Sequence, residues 1–227
     1  MIRNYYFLNF IQERGDWEMK KVLALVGDYY HPSDYLKQAL KMIIKKNYHL
    51  DIYSNHQEIN WDGLMEYDVL ILATWGKIND PEDEAYWLDE YHEKRIDQFL
   101  AEGGKLFLVH SGTASYPEDS LFRKIAGGHF IEHPEDHPEM TLRTVVENPL
   151  TRGIKDFQIK DEQYFMEIDQ EEVEVFLKAV SKEFGESTAG WMKDYKNGKV
   201  IVLTPGHSLE VFEEKMMQKL INNILEL

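Results

Sequence analysis

The chain has 227 residues, 43% of them hydrophobic and 29% charged, which is enough to bury one sizeable core and too apolar for a disordered polymer. Its 25 basic and 41 acidic residues leave a net charge of −16, which argues against nucleic acid or an anionic membrane as partner. The absence of cysteine removes disulfides, thiolate zinc sites and a cysteine nucleophile.

No apolar run approaches the roughly 20 residues that span a bilayer, and the N-terminus lacks the basic, apolar and small-residue succession of a signal peptide. A cytoplasmic protein is expected. Residues 1–18 precede a second methionine, Met19, and carry two readings. Either Met19 is the true start and Glu13-Arg14-Gly15-Asp16 translates a purine-rich ribosome-binding site, or Tyr5, Tyr6, Phe7 and Phe10 belong to an N-terminal arm. One α/β domain is expected over 19–227.

From Lys20 the chain alternates short aliphatic runs with amphipathic stretches, the pattern of a mostly parallel sheet covered on both faces. The first predicted strand, Lys21 to Val26, runs into Gly27-Asp28; a helix is predicted from Asp34 to Lys46 with Ser33 as its N-cap. Strands follow at Tyr48–Tyr53 and Asp68–Ala73, the latter delivering Thr74-Trp75-Gly76-Lys77. Asp80-Pro81 reads as the opening of a helix with Leu88, Tyr91, Ile96, Phe99 and Leu100 inward and Gly103-Gly104 as its stop. The strand Lys105–Val109 leads to His110-Ser-Gly-Thr-Ala-Ser115, followed by a short helix over 119–125. His129 to Pro138 holds two prolines and reads as a loop. Later strands are predicted at 141–146, 173–180, 188–194 and 200–203, with a hairpin turn at Lys196–Lys199. A last helix begins at Leu209, N-capped by Ser208.

In open α/β sheets ligands bind beyond the carboxyl ends of the strands, which singles out Asp28–His31, Thr74–Lys77, His110–Ser115 and Gly206-His207. His110 and His207 are expected to converge there with Glu162, as acid–base groups or as part of a nitrogen and oxygen metal site, with His129 a further candidate ligand and a divalent ion such as zinc the candidate cofactor. Hydrogen-bonded structural histidines are the alternative. Ser111, Gly112, Thr113 and Ser115 suit the oxygens of a ligand, although they serve equally as turn and cap residues. Trp75, Trp191, Tyr116 and Tyr164 suit stacking on a sugar or packing in the core. His137, Glu132 and Glu135 read as surface. Ser111 lacks the flanking glycines of a nucleophile elbow, and no glycine fingerprint for NAD, ATP or flavin is present.

In order and spacing these motifs resemble the trehalose-utilisation (ThuA-like) proteins of the class I glutamine amidotransferase-like fold. The carriers are His110-Ser-Gly-Thr-Ala-Ser115, Gly127-Gly-His-Phe130 with His133-Pro134, Asn148-Pro-Leu-Thr-Arg-Gly-Ile154 leading to Asp161-Glu-Gln-Tyr164, and Gly198-Lys-Val-Ile-Val-Leu-Thr-Pro-Gly-His207 with Glu210-Val-Phe212. The resemblance implies a flavodoxin-like three-layer α/β/α sandwich and a role in carbohydrate metabolism on a disaccharide or keto-sugar. Amidotransferase relatives need an elbow cysteine, which this chain lacks. It also departs from the family at Lys193 and Asp194–Lys199. Two rivals to a sugar enzyme are a non-catalytic sugar-binding or regulatory protein and a serine hydrolase using Ser111 with His207. A homodimer is the default assembly.

Overall fold

Strand β1 (Lys20–Val26) is apolar on both faces: Val22, Ala24 and Val26 pack into one core cluster and Leu23 and Leu25 into another. A strand buried on both sides belongs in a sheet sandwiched between helical layers. The computed structural model, which describes residues 19–227 apart from 79, 83 and 118, shows that architecture. The expected N-terminal arm lies outside the described residues.

Strands β1, β2 (Tyr48–Tyr53), β3 (Val69–Ala73), β4 (Lys105–Val109) and β11 (Gly198–Leu203) form the parallel part of a nine-stranded sheet, in the order β2-β1-β3-β4-β11. It continues antiparallel through β10 (Gly185–Tyr195), β9 (Glu174–Ser181), β6 (Glu139–Thr144) and β7 (Phe157–Lys160). Helices α1 (Ser33–Ile43), α4 (Leu209–Glu213) and α5 (Lys215–Glu226) bury Leu36, Leu40, Phe212, Leu220 and Ile224 on one face. Helices α2 (Glu90–Ala101) and α3 (Leu121–Ala126) bury Ile96, Phe99 and Phe122 on the other. The result is a three-layer α/β/α sandwich. No described helix is long and apolar enough to cross a membrane.

Several predicted boundaries move, each for a local reason. Helix α2 starts at Glu90 rather than after Pro81, because Asp89 accepts from the amides of Tyr91 and His92 and caps it there. The preceding segment is pinned to the β3 loop by a bridge between Lys77 and Tyr86 and by the Trp87 indole donating to Trp75 O. Tyr91, expected inward, is 45% exposed. Helix α1 begins at Ser33 itself, ends at Ile43, and receives no side-chain cap. Ser208 occupies the cap position of α4 without a capping bond, and the expected single terminal helix is broken where Glu214 accepts from Met217 N at 3.0 Å and starts α5. His129 does not lie in a loop: β5 (Gly128–Glu132) pairs antiparallel with β8 (Phe165–Ile168), a two-stranded flap.

This topology brings the carboxyl ends of β1, β3, β4 and β11 to one edge. The flap and the loop from His133 to Pro138 border the same edge.

Candidate metal centre

His31 enters the site through an Asx turn after β1. One oxygen of Asp28, Oδ1, accepts from the amides of Tyr30 and His31 at 3.0 Å each and lies 2.6 Å from His31 Nδ1; the other accepts from Trp75 N at 3.1 Å. Burial works against the Asp28 carboxylate, but the hydrogen bond and charge of His31 outweigh it and hold its pKa below the usual range. The Nδ1 of His31 therefore carries a proton, and for a neutral ring the lone pair is on Nε2.

His110 follows the last residue of β4 with φ at +50°, a strained value for a side chain with a Cβ. The strained position at this strand-to-turn junction is thus His110 and not Ser111. The turn presses tightly on β3: a Cβ on Gly112 would lie 2.3 Å from Leu72 O, so only glycine fits. Thr113 donates to His110 O at 2.9 Å and secures the turn from below. His110 Nδ1 donates to Thr204 O at 2.7 Å, which again leaves the lone pair on Nε2. Burial lowers this imidazole to about 4, despite the Glu162 carboxylate pulling the other way, so it is neutral at neutral pH.

The two Nε2 atoms face each other at 3.0 Å. Two neutral rings so fixed would set lone pair against lone pair, an arrangement that needs a proton or a cation between them. Glu162, carried on the loop from β7 to β8, brings Oε2 to 3.3 Å from His110 Nε2 and Oε1 to 3.1 Å from His207 Nδ1. His207 Nδ1 is buried and close to this carboxylate without a well-formed hydrogen bond. Burial would raise the Glu162 carboxyl, but His110 and His207 drive it far below its ordinary value; the same carboxylate raises His207. Beneath them the buried Asp161 accepts from the amides of Gly206 at 2.7 Å and His207 at 3.1 Å and fixes that turn. Burial nevertheless pushes the Asp161 carboxyl up to about 7 against those amides.

His31, His110, Glu162 and His207 each offer a donor atom within 4.8 Å of the others. Donors about 2.1 Å from a small tetrahedral ion stand about 3.4 Å apart; the His31–His110 and His110–Glu162 Oε2 pairs, at 3.0 and 3.3 Å, are close to that, and His207 meets the other Glu162 oxygen at 3.1 Å. Three imidazoles and one carboxylate, two of the rings oriented by an acceptor on the far nitrogen, are a donor set suited to a divalent ion such as zinc.

The cavity above this cluster, about 680 Å³, is lined by Tyr30, Trp75, Ser111, Ser115, Phe130, His133, Glu135 and Tyr164 among others. Tyr164 stacks on His110 with ring centroids 4.4 Å apart, and its hydroxyl lies 3.1 Å from His110 Nε2. The expected trio of His110, His207 and Glu162 is together, with Trp75, Ser111, Ser115 and Tyr164 at its walls, whereas Gly112 and Thr113 are buried in the turn. His129 is elsewhere: its Nε2 accepts from Arg123 at 2.9 Å and lies 3.6 Å from Glu167. Trp191 is fully buried with its indole donating to Ala126 O, and Tyr116 donates to Thr74 O, so both are structural. Ser111 sits beside Asp28, which it helps keep ionised, and among the described residues no hydrogen bond joins it to an imidazole. His133 and His137, one of them expected at the surface, reach to 3.7 and 3.5 Å of Glu162 Oε1, and Glu135 lines the cavity instead of the outer surface. The residue that sequence reasoning left unassigned is His31. Its only signal was its place three residues after Asp28 at a strand's carboxyl end.

Residues 21–226 match the family described as ThuA, trehalose utilisation. A ThuA-like protein from Bacteroides uniformis is 21% identical with a TM-score of 0.68, covering 91% of this chain and 89% of that one. A second, from Parabacteroides merdae, is 16% identical with a TM-score of 0.71, covering 91% and 88%. A glutamine amidotransferase from Thermotoga maritima is 14% identical with a TM-score of 0.62, covering 92% and 97%. At these identities the likeness is one of fold. No curated protein matches the chain in sequence.

Proposed function

The chain belongs to the ThuA, trehalose-utilisation family, and from that premise we propose that it is a metal-dependent enzyme of carbohydrate metabolism whose substrate is a sugar or keto-sugar. The observation that carries the metal is the pair of Nε2 atoms of His31 and His110, facing each other at 3.0 Å with both Nδ1 positions already committed to acceptors. In this reading His31, His110, Glu162 and His207 hold the ion, while Asp28 and Thr204 set the tautomers and orientations of the two inner rings. A divalent ion so held supplies Lewis acidity toward a carbonyl or hydroxyl oxygen.

The other residues hold the substrate and exclude water. Phe130 and Tyr164, with ring centroids 4.4 Å apart, give an apolar wall for the carbon-bound hydrogens of a sugar ring. Ser111 and Ser115 border the same cavity and suit its hydroxyls. With no cysteine in the chain, glutamine hydrolysis by a thiolate is not available. Ser111 sits beside Asp28 and makes no hydrogen bond to an imidazole among the described residues, which gives a serine nucleophile no support.

The test is elemental analysis of untagged protein, together with a His31→Ala, His110→Ala variant. The expected result is about one divalent ion per chain in the wild type and none in the variant, with sugar turnover lost on chelation. If zinc- or manganese-incubated wild-type protein retained no metal, the two rings must instead share a proton and the metal reading is wrong.

A further inference from the structure

Glu162 meets two further imidazoles that the ion above does not use. Its Oε1 lies 3.5 Å from His137 Nε2 and 3.7 Å from His133 Nε2, whereas its Oε2 faces His110. Both rings come from the loop between β5 and β6, in which each histidine precedes a proline. A residue before proline is biased to extended backbone, so the two rings meet at Glu162 through the fold of the loop and not along a helical face.

The His133 ring is fixed in its tautomer and in its plane. Its Nδ1 lies 2.7 Å from Pro134 O, which can only accept, so Nδ1 carries a proton and in a neutral ring the lone pair is on Nε2. The ring stacks on Tyr164 with centroids 5.6 Å apart, and Tyr164 in turn stacks on His110. In that tautomer Nε2 has no hydrogen to offer the Glu162 oxygen, and a cation between them satisfies both. Donors about 2.1 Å from one ion stand about 3.4 Å apart; the His137 distance meets this, and His133 has to close by a few tenths of an ångström. Charge points the same way. His137 lines a surface cleft with Glu135, Asp136, Glu139 and Glu183, where Lys160 is the basic group, and such an excess of carboxylates concentrates cations at its mouth.

We propose that His133, His137 and Glu162 Oε1 form a second divalent-cation site, joined to the first by a Glu162 carboxylate that holds one ion on each oxygen. A carboxylate has lone pairs on both oxygens and can serve both ions. Two imidazole nitrogens and one carboxylate oxygen suit zinc or manganese and leave positions open for water or for a ligand of the cavity, which His133 also lines. His207, whose Nδ1 is 3.1 Å from the same oxygen, stays with the inner ion. The His133 and His137 side chains are 32% and 39% exposed, against 6% and 2% for His31 and His110. The outer ion is therefore the exchangeable one: the protein as isolated keeps the inner ion, and the outer site fills when divalent ion is supplied. This goes beyond the single ion of the enzyme argued above and shares only Glu162 with it.

Zinc bound per chain is measured by equilibrium dialysis and elemental analysis over a range of free zinc. It should rise from about one to about two in the wild type and stop at about one in a His133→Ala, His137→Ala variant. Manganese in the wild type gives a readout that needs no variant: at full loading, electron paramagnetic resonance should show the exchange-coupled signal of a carboxylate-bridged pair. Saturation of the wild type at one zinc that the loop variant retains would overturn the proposal, as would a second zinc that the loop variant keeps, or a pair of uncoupled manganese ions. The His31→Ala, His110→Ala variant separates the two sites. A single zinc kept by that variant and lost from the loop variant refutes the inner site and keeps this one, the opposite dependence does the reverse, and no bound zinc at any concentration refutes both.

Discussion

Replacing Asp28 by asparagine tests whether the charge behind His31 serves the metal. The substitution is close to isosteric, and the side-chain oxygen can keep its three donors: the amides of Tyr30 and His31 at 3.0 Å and His31 Nδ1 at 2.6 Å. The new amide nitrogen then faces Trp75 N, where the native carboxylate accepts at 3.1 Å. One hydrogen bond becomes a donor-to-donor contact, costing about 1–3 kcal/mol of stability. The ring of His31 stays oriented but loses the carboxylate that makes Nε2 a stronger ligand. Loss of such a partner weakens metal binding by about 10–100-fold, or about 1.4–2.7 kcal/mol. Competition for zinc against a fluorescent chelator measures the affinity, and circular dichroism checks that the variant is folded at the assay temperature. A folded variant with wild-type zinc affinity would refute the assignment of His31 as a ligand oriented by Asp28.

Other consequences follow from the same geometry. Metal binding below neutral pH should release protons, because His207 is raised by Glu162 and must deprotonate whereas His110 is already neutral; affinity should therefore fall as pH drops, and calorimetry in buffers of different ionisation enthalpy measures the release. His129→Ala should leave metal content unchanged, since that ring is engaged by Arg123, and elemental analysis checks it. Gly112→Ala should destabilise the fold by about 2–4 kcal/mol in urea titrations, because the added carbon meets Leu72 O at 2.3 Å.

Lys105 gives a prediction far from the site. Its ammonium donates to the carbonyls of Ile224 and Leu225 at the end of α5, yet burial lowers its pKa to about 8. Between about pH 8 and the unfolded value near 10.4 the unfolded chain binds more protons than the folded one, so this group makes stability rise with pH across that window. Unfolding measured at pH 7.5 and 9.5 should show a rise that Lys105→Met abolishes; an identical slope in the variant would show that Lys105 is not its source.

The sequence by itself determined the layered fold and the edge on which to look. Aliphatic runs such as Val22–Val26 and Val69–Ala73, apolar at every position, can only be strands covered on both sides, and the residues just after them were the candidates. Backbone period and burial are local properties and survive reading in one dimension. What local pattern misjudged were boundaries decided by distant contacts. Residues 80–88 hold helix-opening signals but are tied to the β3 loop by Trp87, and His129 enters a strand because β8 lies beside it.

The site itself was only half legible. His110, His207 and Glu162 could be named from their places after strands, but their relation to His31, 79 residues from His110 in the chain, is set by the parallel order β1-β3-β4-β11. His129, His133 and His137 share a spacing of four that carries no information off a helix. Pairing with β8 turns the first toward Arg123, and the loop returns the other two toward Glu162. Whether an imidazole is a ligand, a hinge or a surface group depends on what faces each of its nitrogens. That is a property of tertiary packing, which no residue pattern encodes.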